Sequence, residues 1–137
     1  MKEMEIEATL DNFEEVQAFV DEELERLGCS MGTQIQIDIA VEEIFVNIAH
    51  YAYNPDVGKA TIRVEITEDP LSVVLTFMDN GIPYDPLAKQ DPDVTLPPEE
   101  RQIGGLGIYM VKESMDDVKY EYRDGKNILT ICKKLAE

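Results

Sequence analysis

The chain has 137 residues, and 12 Lys and Arg stand against 29 Asp and Glu, a formal charge of −17. That length predicts one domain spanning residues 1–137, and 44% apolar residues exclude a disordered chain. The acid excess excludes sequence-independent nucleic-acid binding and attraction to an anionic membrane, both of which need basic clusters. Cys29 and Cys132 stand far apart in no metal-ligand spacing, so neither a disulfide framework nor a zinc site is expected. No apolar run is long enough to span a bilayer, and no basic-then-apolar leader opens the chain, which predicts a cytoplasmic protein.

Residues 4–10 alternate in polarity and predict a short strand. Asp11 and Asn12 stand where they would cap a first helix whose stripe runs through Phe13, Val16, Phe19-Val20, Leu24 and Leu27 to a stop at Gly28. A second helix is predicted from Thr33, with Gln36 completing a capping box. Its apolar stripe is Ile37, Val41, Ile44, Ile48 and Ala52, and it should end before Asn54-Pro55. From Lys59 the period changes to two, and Ala60, Ile62, Val64 and Ile66 mark a half-buried strand. After the Asp69-Pro70 turn, Leu71 to Met78 is more uniformly apolar and reads as a more central strand.

Five of the seven prolines fall between residues 80 and 103, a length of loop that in a compact domain serves as a lid or binding loop. Gly104-Gly105-Leu106-Gly107 then opens a third helix with Ile108, Met110-Val111 and Met115 at helical spacing. Two strands close the chain, joined by a turn at Asp124-Gly125. The order β-α-α-β-β-loop-α-β-β predicts an α+β fold: a two-layer sandwich with a mixed, mostly antiparallel sheet of about five strands and three helices on one face.

Three clusters carry potential chemistry. Glu43 and Asn47 stand one helical turn apart at the edge of the apolar stripe; a solvated acidic helix face is the plain alternative. Asp79-Asn80-Gly81 follows the apolar strand; it reads either as a β-turn or as a carboxylate at a buried strand end, aimed at an amine. The glycines at 104–107 read either as a hinge or as a helix N-terminus that offers amides to an anion.

Helical ExxxN, a strand ending in DxG, a long loop and GxG opening a helix together resemble the GHKL (Bergerat-fold) ATPase superfamily. Within it, the short chain is similar to the anti-sigma-factor serine/threonine kinases. The resemblance implies ATP and Mg²⁺ as ligands. It implies Asn47 as the Mg²⁺ ligand, Glu43 as the residue that receives or orients the incoming hydroxyl, and Asp79 with Gly81 around the adenine. Gly105, Leu106 and Gly107 would meet the phosphates, with residues 82–103 as an ATP lid whose cations are Lys89 and Arg101. Thr130 is the residue of the last strand that the resemblance brings to the adenine, with Asn127 an equal alternative. The implied partners are a STAS-type anti-anti-sigma protein and a sigma factor, and a homodimer is the assembly it suggests. A catalytically silent, nucleotide-dependent binding module is the alternative function. His50, one place before the position where the family often has histidine, is expected to be an exposed or internally satisfied side chain without a role.

Overall fold

The structure is a computed structural model and describes residues 1–53, 56–68, 70–88 and 106–135. Five strands, β1 (Lys2–Glu7), β2 (Lys59–Thr67), β3 (Ser72–Asp79), β4 (Asp117–Arg123) and β5 (Lys126–Lys134), form one sheet in the order β1-β2-β3-β5-β4. Every pairing is antiparallel, so the sheet expected to be mixed but mostly antiparallel is antiparallel throughout. The reason is local. β2–β3 and β4–β5 are hairpins, and the longer crossings bring β1 and β5 in beside them without a parallel pair.

Three helices pack on one face: α1 (Phe13–Arg26), α2 (Met31–Asn47) and α3 (Leu106–Ser114). The period-two alternation of the strands decides which face is covered. Ala60, Ile62 and Val64 of β2, Val73, Leu75 and Phe77 of β3, and Leu129 and Ile131 of β5 are buried beneath Val16, Val20, Leu24, Ile37, Val41, Ile44 and Phe45 of the helices. Each Val, Leu, Ile or Phe among them contributes about 1.5–3 kcal/mol when removed from water, so the helix-facing rows hold the two layers together.

Several ends differ from the sequence expectation. β1 begins at Lys2 instead of residue 4, because its partner is the strand at Lys59–Val64 and pairing sets its extent. α2 begins at Met31, and its cap is Ser30, whose hydroxyl accepts from the Thr33 amide at 3.3 Å, in place of the expected Thr33–Gln36 box. Asn12 precedes α1 without a side-chain cap, and its amide donates instead to the Glu7 carbonyl at 3.0 Å. The β4–β5 turn has positive φ at both Asp124 (55°) and Gly125 (77°), the geometry that matches the twist of a two-residue hairpin.

Candidate functional site

The last turns of α2 widen into a π-helix over Ile48–Ala52. Such a widening re-aims side chains and carbonyls at the end of a helix. Here it brings the Ala52 carbonyl to the Ile82 amide, at 2.9 Å, so the end of α2 is joined to the segment that follows β3. Gly81 lies directly against the Ala52 backbone, and a Cβ at that position would collide with its carbonyl. This close approach explains the glycine of the DxG cluster without any appeal to a turn. Tyr53 adds a second tie: its hydroxyl accepts from the Asn80 amide at 2.8 Å and donates to the Lys59 carbonyl at 2.6 Å.

Between α2, β3 and β5 this junction leaves a cleft. Ile44, Ile48, Ala52, Phe77 and Leu129 give it apolar walls, and Asn47, Asp79 and Asn127 are its polar groups. An apolar slot with a few convergent polar atoms is the usual build of a small-molecule site. Two of the three sequence clusters therefore meet in space, the helical Asn47 and the strand-end Asp79.

Asp79 is 7% exposed, and its Oδ1 accepts from the Gly81 amide and from Asn127 Nδ2, each at 2.9 Å. No donor among the described residues reaches Oδ2. Burial pushes the Asp79 carboxyl up, and the bonds from Asn127 and Gly81 only partly offset this. Asn127, 6% exposed, is the hub of the cleft. Its amide also donates to the Ile82 carbonyl at 2.8 Å, while its Oδ1 accepts from the Tyr84 amide at 3.0 Å and from the Tyr120 hydroxyl. The opening residues of the expected lid, 82–84, are thus held to β5. Pro86 is buried, in a 3-10 turn over Pro86–Ala88. Tyr51 and Tyr84 stack with ring centroids 5.6 Å apart, and both line the cleft.

Thr130 is corrected. In β5 the odd-numbered Asn127, Leu129 and Ile131 face the helices, and Thr130 points to the opposite side of the sheet, opposite Thr76 of β3 and Lys119 of β4. The two-residue period that buries Leu129 excludes Thr130 from the cleft. Asn127, opposite Asp79 in register, takes the position left open between them.

Glu43 does not line this cleft. It lies one turn earlier on α2 with its carboxylate against Gly107 of α3, where a Cβ would overlap it. Burial pushes its carboxyl up, with a smaller contribution from the Glu42 charge. Gly107 thus serves first to let α3 approach the Glu43 side chain. Leu106 opens α3, whereas Gly104, Gly105, Lys89 and Arg101 lie outside the described residues. His50 is exposed, with its ring edge-on to Tyr51.

The sequence reading missed the tyrosines. Of the six in a chain without tryptophan, Tyr51, Tyr84 and Tyr120 line the cleft and Tyr53 braces it. The available signal was Tyr51 and Tyr53 shortly after the ExxxN segment and Tyr84 shortly after DxG.

Residues 6–133 match the family described as histidine kinase-like ATPase domain. The chain is 32% identical over 108 residues to serine-protein kinases RsbW of Bacillus mycoides and Bacillus cereus, a match over 76% of this chain and 66% of theirs. It thus spans just under two-thirds of the length of those relatives. Among solved structures, the RsbU and RsbW domains of a Mycobacterium tuberculosis protein superpose with a TM-score of 0.68 at 18% identity, covering all of this chain and 33% of that one. That likeness concerns the fold, and it agrees with the antiparallel sheet and one-sided helices described above. With the family match spanning nearly all of the sheet and helices that build the cleft, the chain belongs to the histidine kinase-like ATPase domain family.

Proposed function

We propose that the chain is an ATP-dependent protein serine/threonine kinase of the anti-sigma-factor type, acting in the cytoplasm on a STAS-type anti-anti-sigma protein. The observation that carries the reading is the convergence of Asn47 and Asp79 on one apolar cleft in a chain of this family. The 32% identity to serine-protein kinases supports phosphoryl transfer over nucleotide binding alone.

In this reading the purine lies between the apolar walls, and the free Oδ2 of Asp79 accepts from its exocyclic amine. Asn127 holds that carboxylate in place. Asn47, at the cleft wall, would hold Mg²⁺ together with the nucleotide's phosphates. Among the described residues no group of three or more His, Cys, Asp or Glu is placed to hold a metal ion. This fits Mg²⁺, which takes one or two protein oxygens alongside phosphates and water; when bound, the ion would neutralise charge on the triphosphate. Glu43, its carboxyl raised by burial, is suited to receive the proton of an incoming serine or threonine hydroxyl. Gly105, Leu106 and Gly107 would offer amides to the phosphates. Positioning and charge stabilisation supply most of such catalysis.

The test is incubation with labelled ATP, Mg²⁺ and candidate STAS proteins. Label on a partner's serine or threonine is expected. ATP binding with no transfer to any partner would leave the silent binding module as the function.

A further inference from the structure

α2 is apolar on both sides. Its inner residues Ile37, Val41, Ile44 and Phe45 are buried in the core. Met31, Ile35 and Ile39, one turn apart on the outer side, are 79%, 52% and 53% exposed, and Met110 of the adjacent α3 is exposed as well. A helix with apolar residues all round is ordinarily covered on both sides. No described element packs over this outer row.

The surroundings of the row are acidic. α2 has no lysine or arginine, Asp38 and Glu42 flank the row, and the single cation of α1, Arg26, is bonded to Glu23 at 2.7 Å. At the α1–α2 junction a shallow cleft has Met31 and Ile35 on its wall beside Glu25 and Asp38. Oδ1 of Asp38, which lines this cleft, is buried without a hydrogen-bond donor, and so is Oδ1 of Asp21, the carboxylate that faces Asp38. A second copy of the chain would fit poorly. A two-fold contact sets the same patch against itself, carboxylates on carboxylates, in a chain of charge −17.

We infer that the outer face of α2, Met31, Ile35 and Ile39, is a docking surface for a basic amphipathic segment of a different protein. Apolar side chains of that segment cover the row, and a lysine or arginine lays its stem on Met31 and Ile35 with its charge toward Asp38 and Glu25. The inference is independent of the kinase reading, since the face lies outside the nucleotide cleft.

The test uses the full chain without nucleotide. The probe is a labelled peptide of roughly 18 residues, leucine and lysine at helical spacing, long enough to span the exposed turns. Its leucine–glutamate counterpart is the control. Fluorescence anisotropy should give binding of the lysine peptide alone, weakened roughly tenfold in the double variant Ile35→Ser/Ile39→Ser, which removes no charge. Met31→Ser repeats the reading if the double variant misfolds. Three results overturn the inference: no binding, equal binding to wild type and variant, or a wild-type dimer in sedimentation that the variant dissolves.

Discussion

Replacing Asn127 with alanine removes four hydrogen bonds at one stroke: those to Asp79 Oδ1 (2.9 Å) and the Ile82 carbonyl (2.8 Å), and those from the Tyr84 amide (3.0 Å) and the Tyr120 hydroxyl. Asp79 keeps the Gly81 amide, and the Ile82 and Tyr84 backbone groups lie where the variant admits water. The cost is therefore less than four full desolvation penalties. At a net of roughly 1 kcal/mol per bond, with a surcharge for the buried carboxylate, Asn127→Ala should lose about 2–4 kcal/mol. For a chain of this size that is a fall in Tm of roughly 8–15 °C. Urea unfolding followed by circular dichroism measures it, and an ATP titration of the folded variant should show weaker binding, because the Gly81 amide alone is left to orient the Asp79 carboxylate. A loss below about 0.5 kcal/mol, the range of ordinary surface substitutions, would refute the assignment of Asn127 as the organising residue. Thr130→Ala is the matched comparison. It lies in the same strand on the opposite face, so it should leave ATP affinity unchanged.

Gly81→Ala forces a Cβ into the Ala52 carbonyl, and an overpacking cost of about 1–3 kcal/mol should appear as a lower urea midpoint. Glu43→Gln should keep ATP affinity by calorimetry and lose labelled-phosphate transfer; retained transfer would remove Glu43 from the reaction. Chelating Mg²⁺ with EDTA should weaken ATP binding sharply, since a chain of −17 otherwise repels the triphosphate. The Asp38 carboxyl is raised to about 7, first by burial and then by Asp21 facing it. A group that holds its proton more tightly when folded stabilises the fold at low pH, and that contribution is lost as pH rises from about 4 through 7. Because Asp38 is partly exposed, the effect is discounted to about 1 kcal/mol. Asp38→Asn should flatten the fall in Tm between pH 4.5 and 8, and an unchanged slope would contradict the carboxyl pairing.

Local rules determined much of this protein from its sequence. Alternation at Ala60–Ile66 and the stripe at Ile37–Ile48 follow from burying one face of a strand or helix, and they place Glu43 and Asn47 on one helix and Asp79 at a strand end. The motif order was legible for the same reason: each cluster is short and self-contained. What the tertiary structure decided depends on partners distant in sequence. Strand register chose Asn127 over Thr130, because only pairing with β3 reveals which side of β5 faces the helices. The π-helix at Ile48–Ala52 set Gly81 against a carbonyl and Tyr51 against Tyr84, and no local period announces such a contact. The exposed row on α2 is visible only once the helix has a packed side and an open one. Period and composition specify which residues want burial, and only the assembled layers specify which of them obtain it.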